Sequence, residues 1–428
     1  MHPRSHLALA ALWGLLAGSS LTASDTLAAA RLYQEGSLAA REQRFTAAAA
    51  QFRAAAAAHP ALAAQGYYNA ACAFARAGQT RAALEALARS AARGYRDRDG
   101  MASDPDLASL AGQPRWAALL NQVEANDRRF RGNHGDPARA RLVTADLGRL
   151  RATLGEPFPT QTQDARMARV ADLYLHPGSP GLVDFFALGK IQDLDRLAGT
   201  FGALPRFFGS LGALEAAIDA QRPAILAALG RMKALYPPTF FPQISFVVGH
   251  FRSGGTATAN GLVIGAEVYC RAPGVDLGEF GPRDLELFRP VEELPSVVVH
   301  ELVHFQQTGG GTPSLLRQAL VEGTADFIAT LVCPDLPEPA YRTWGDAHER
   351  EVWARFVQAM DGTDCRDWIA NNDRARPDWP AALGYYVGFR IARAYHAQAA
   401  DKRAALADLL RLRDPKALLK ASGYDPSR

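Results

Sequence analysis

LPSVVVHELVHFQQ, residues 294–307, sets two histidines four positions apart. On a helix that spacing puts the imidazoles of His300 and His304 on one face, one turn apart, where they can share one metal ion. Pro295 is acceptable in a first turn, and Val297, Val298, Val299, Leu302 and Val303 wrap the rest of the segment in apolar side chains. A buried helix of this kind holds its ligands rigidly. Glu301, beside the first histidine, faces the same cavity and can take a proton from a metal-bound water without ligating the metal. Two satisfied core histidines would explain the spacing but not a carboxylate between them in an apolar run.

A zinc site that does chemistry takes three protein ligands and keeps one position for water, so a third ligand is expected downstream on an element that folds back. ALVEGTADFIATL, residues 319–331, supplies Glu322, with Asp326 one helical turn later on the same face. This order resembles the gluzincin pattern Glu-x-x-x-Asp. There the glutamate completes the metal site, and the aspartate accepts a hydrogen bond from the far nitrogen of a ligating histidine, here His300. The metzincin pattern is excluded by Gln307 and Gly310, where it needs glycine and histidine. An aspzincin reading has Gly323 to Asp326 in its favour, with Asp326 as ligand, but Ala329 and Thr330 stand where Tyr-Gly is required. The expected set is His300, His304 and Glu322 around one Zn2+ per chain.

Outward from this segment, QISFVVG (243–249) and GLVIGAEVY (261–269) are β-branched runs separated by the turn-rich RSGGTATAN (252–260). Helical patterns flank them: LGALEAAIDA before Pro223, PAILAALGRMKALYP from Pro223, then RIARAYHAQ and KRAALADLLRL near the C-terminus. Residues 25–125 are rich in alanine and arginine, and a shift of 35 positions carries Ala48, Phe52 and Ala55 onto Ala83, Leu87 and Ser90. FTAAAAQFRAAAAAHP resembles the second helix of a tetratricopeptide repeat and YYNAACAFARAG a first helix, with PRWAALLNQV placed to cap the pair. The predicted class is α+β, mainly helical. Tetratricopeptide-like repeats over 25–125 and a polar linker over 126–137 lead to a zincin-type, gluzincin-like metallopeptidase domain with a small β-sheet over 138–428.

Composition agrees with an exported globular chain. Apolar residues make up 48%, charged residues 21%, and the formal charge is only +3, which favours neither nucleic acid nor an anionic membrane as partner. Residues 1–23 read as a secretory signal: Arg4, an apolar run from Leu7 to Ala17 too short to span a bilayer, then small residues near Ala23. The first cysteine is Cys72, so a lipid anchor is not indicated, and the expected location is periplasmic or secreted, with no membrane span in the mature chain. Cys333 and Cys365 are free to pair in such a compartment.

Taken together, FRSGGTATANGLVIGAE, LPSVVVHELVHFQQ, ALVEGTADFIA and LGYYVGFRIA, in that order between Phe240 and Tyr424, resemble an uncharacterised bacterial family of predicted zinc-dependent proteases, some with tetratricopeptide repeats. The resemblance implies hydrolysis of peptide bonds by a metal-activated water, Glu301 as general base, and a peptide or protein substrate. By analogy with better-known gluzincins it implies that Gly261, Leu262, Val263, Ile264 and Gly265 form an edge strand pairing with substrate, and that Tyr385 or Tyr386 donates to the oxyanion. The alternatives are an aminopeptidase, with Gly265, Ala266 and Glu267 holding a substrate's amino terminus, and a non-catalytic envelope scaffold whose helical repeats bind a protein partner.

Overall fold

Alanine is small enough to let helix backbones approach closely, and the first part of the described chain uses it that way. The computed structural model describes residues 23–427, apart from Gln192, Arg252, Gly309 and Gly310. The expected secretory signal lies outside the described residues, save for Ala23. Helices α1 (Ala23–Arg41), α2 (Phe45–Ala58), α3 (Pro60–Arg76) and α4 (Thr80–Ala92) each pack on the next. Ala48, Phe52 and Ala55 on α2 and Ala83, Leu87 and Ser90 on α4 are all buried, so the 35-residue shift marks equivalent inward faces. Helix α5 (Trp116–Asn133) runs through most of the expected linker. The charges that suggested a break are one turn apart and pair along the helix, Arg128 with Glu124 at 3.1 Å and Arg131 with Asp127 at 2.6 Å.

A run of shorter helices between residues 145 and 235 follows, among them α6 (Pro180–Ala187). The sheet consists of β1 (Leu142–Val143), β2 (Ile244–Val247), β3 (Gly255–Thr258) and β4 (Gly261–Gly265), in the order β1-β2-β4-β3. β2 runs parallel to β1 and β4, with Ile244 opposite Leu262 and Val247 opposite Gly265; β3 is antiparallel to β4. Every residue of β2 and β4 is buried, as expected of strands covered on both faces. The expectation that Gly261 to Gly265 form an edge strand is therefore corrected: they are central, and the edge beyond them is β3. Gly-Thr-Ala-Thr, short and half polar, reads as a turn until β4 supplies its partner.

The helical half comprises α7 (Leu294–Gln306), α8 (Leu315–Val332), α9 (Ala340–Ala347), α10 (Leu383–Gln398), α11 (Lys402–Arg411) and α12 (Pro415–Ser422). α7 lies against β3, β4 and α8, and α8 makes its largest contact with α10. At that crossing a Cβ on Gly323 would overlap the backbone of Gly388, and one on Gly388 would overlap the carbonyl of Ala319. Backbone meets backbone, and only glycine fits. The architecture is mainly helical with one small sheet, and one contiguous apolar core runs from Ala29 to Leu418. All four cysteines are free, so Cys333 and Cys365 are not bridged.

Candidate metal centre

Helix α7 presents His300 and His304 as its four-residue spacing requires, with their Nε2 atoms 3.0 Å apart. α8 folds back against it and brings Glu322 Oε2 to 3.2 Å from His304 Nε2 and 3.5 Å from His300 Nε2. Outside this triangle, His300 Nδ1 is 2.8 Å from Asp326 Oδ1, one turn along α8 from Glu322. Asp326 Oδ2 accepts from the Tyr341 hydroxyl of α9. His304 Nδ1 is 2.9 Å from Gln307 Oε1, and the Gln307 amide is oriented by donating from Nε2 to the Val321 carbonyl at 2.9 Å.

These outer bonds fix the protonation of both rings. Asp326 and Gln307 Oε1 accept, so each imidazole carries its proton on Nδ1 and turns a lone pair on Nε2 inward. Two lone pairs and a carboxylate oxygen then converge, an arrangement that calls for a cation. Ligand atoms about 2.0–2.2 Å from a tetrahedral zinc stand about 3.3 Å apart. The 3.0, 3.2 and 3.5 Å separations match that span, so the residues fit the ion. Burial opposes charge on Glu322, yet His304 and His300 hold its carboxyl well below the usual carboxylate range. Burial likewise works against protonated His300, while Asp326 and Glu322 push its pKa up.

The other expected residues divide. Glu301 is buried beside the ligands, where burial raises its carboxyl against the opposing pull of His304 and His300. Its carboxyl packs on the edge strand: a Cβ on Gly255 would lie 2.5 Å from Glu301 Oε1, which is why β3 carries glycine there. Tyr385 joins the centre, its ring parallel to His300 at 6.4 Å, and burial first, then the neighbouring Glu322 carboxylate, push its hydroxyl pKa up. Tyr386 does not; its hydroxyl donates to Asp346 at 3.0 Å and its ring is buried against Gly345. Gly261 to Gly265 lie inside the sheet. Glu267 is fully buried, with Oε1 accepting from the backbone N–H of Gly249 at 2.9 Å and Phe251 at 3.2 Å, so it cannot receive a substrate's amino terminus. Sequence reasoning missed Gln307 and Tyr341. The three-residue spacing from His304 would have flagged Gln307; Tyr341 reaches Asp326 from a separate helix, and nothing local announces it.

A cleft of about 750 Å³ opens beside the centre. Its walls come from α3, the segment after α4, the β3–β4 turn and the last turn of α7, including His304 and Phe305. Among the described residues no helix is long and apolar enough to cross a membrane.

Comparison with curated proteins and with solved structures gives no match. Residues 216–426, which contain every ligand and outer partner named above, match the model of the family described as Gliding motility protein GldB. This overturns the resemblance to predicted zinc-dependent proteases, and with it the expected hydrolase activity, the aminopeptidase alternative and Glu301 as a general base. The family that covers these motifs is described by motility and not by proteolysis. The physical reason is that His-x-x-x-His spacing with a downstream glutamate fixes where three ligand atoms meet, not what an ion held there does.

Proposed function

We propose that the chain is a non-catalytic envelope protein of the surface-movement machinery, acting through a protein partner, with one zinc ion held by His300, His304 and Glu322. The observation that carries the role is the match of residues 216–426 to the gliding motility family. An export-type N-terminus supports the envelope location, and the paired helices α1 to α4, tetratricopeptide-like in their 35-residue shift, are the surface we assign to the partner. The ion is supported by the ligand geometry and by the outer hydrogen bonds that fix both tautomers. Its ligands come from two helices, so it acts as a cross-link between α7 and α8, and its binding free energy is folding free energy. Asp326 and Gln307 orient the two rings, and Tyr341 orients Asp326.

The test has two arms. Deleting the gene in its native host should impair surface movement, and the intact chain should restore it; undisturbed movement would remove the motility role. Purified chain should carry one zinc by mass spectrometry, absent in His304→Ala, and should cleave no peptide. With free zinc a thousandfold above its Kd, the ion should add about 4 kcal/mol to unfolding in urea. A wild-type chain without zinc would remove the ion from the proposal.

A further inference from the structure

The last turn of α7 binds more than a metal. His304, one of the three proposed ligands, is followed by Phe305, which receives the guanidinium of Arg96 over its ring at 4.3 Å; the same guanidinium lies over Phe130 of α5 at 4.4 Å, and the two rings meet with centroids 6.0 Å apart. Gln306 is buried and pairs with both backbone groups of Phe240, accepting from its N–H at 3.3 Å and donating to its carbonyl at 2.9 Å. Phe240 in turn carries Arg131 of α5 over its ring at 4.0 Å. Gln307 ties His304 to the Val321 carbonyl, and Thr308 N–H donates to the Leu410 carbonyl at 3.0 Å. Five consecutive residues thus hold the metal site, the N-terminal helices, the entry to β2, α8 and α11.

We infer that occupancy of the ion site is coupled to the docking of α1–α5, through this single turn of α7, and so sets the width of the cleft beside it. The inference rests on the ion reading above. One helical turn moves as a unit, because its backbone hydrogen bonds link each residue to the next turn. With an ion present, His304 is pinned to His300 and Glu322. Without one, the two Nε2 atoms and the carboxylate oxygen, 3.0 to 3.5 Å apart in a buried site, no longer share a common ligand, and His304 is released to move with its turn. Phe305 moves with it, and the Arg96 guanidinium loses one of its two aromatic partners. A cation shared by two rings in a desolvated site contributes more than an exposed one, so the disturbance passes to the N-terminal helices.

The experiment is hydrogen exchange by mass spectrometry on the full chain, with zinc and after chelation. Removing the ion should speed exchange about fivefold or more in residues 93–99 and 127–134 as well as in α7, the low end of coupling between distinct sites. Faster exchange confined to α7 and α8 would overturn the coupling while leaving the ion intact. Coupling is reciprocal, so Arg96→Ala, checked for folding by circular dichroism, should weaken zinc binding by the same factor in a chelator competition. Unchanged affinity would also overturn it. A wild-type chain that binds no zinc at all would overturn both this inference and the reading beneath it.

Discussion

Glu267 shows how much a single buried carboxyl can bias the chain. It is fully buried, one oxygen holds the loop at Gly249 and Phe251, and the other has no partner among the described residues. Burial lifts its pKa from the ordinary 4.5 to about 7. The folded chain therefore keeps a proton that the unfolded chain has released between those values, and stability falls as pH rises through that window. The loss is about 3 kcal/mol for a shift of this size. Glu267→Gln keeps an acceptor for both N–H groups and removes the titration. Urea unfolding from pH 4.5 to 8 should show the wild-type decline largely flattened in the variant; equal slopes would mean that Glu267 is not the group responsible.

Among the elements, the crossing of α8 and α10 does most to shape the centre, since it presses Glu322 and Tyr385 together from two helices that share backbone contact. Gly388→Ala forces a methyl into the Ala319 carbonyl and should cost about 3 kcal/mol or prevent folding, read as a lowered thermal midpoint. A neutral substitution would mean that the helices are not in backbone contact. This level was well legible in the sequence where periodicity spoke: α7, α8, β2, β4 and the helix opening at Pro223 lie where the pattern predicts. The failures have physical causes. Gly255 to Thr258 form a strand only because β4 offers a register to pair with, and the segment near Asp127 stays helical because its charges pair along the helix. At the centre, His300, His304, Glu322 and Asp326 followed from spacing, whereas Tyr341 depends on how α9 returns and has no local signature.

At the scale of the whole molecule, the apolar core passes from the N-terminal helices into the helical half without interruption. Scanning calorimetry should therefore give one cooperative transition and not two; a separate early transition would mean that the N-terminal helices melt alone. The role of the chain was the least legible part, because spacing determines a local constellation while the same constellation serves unrelated ends. Asn260 donates to the Ala61 carbonyl, 199 positions earlier, and to Asp184, both at 2.9 Å. At about 5–20 residues per second, a ribosome needs about 10–40 s to travel that distance. For that interval α3 has left the ribosome and its final neighbour does not yet exist, so the nascent chain spends it with this face of α3 uncovered.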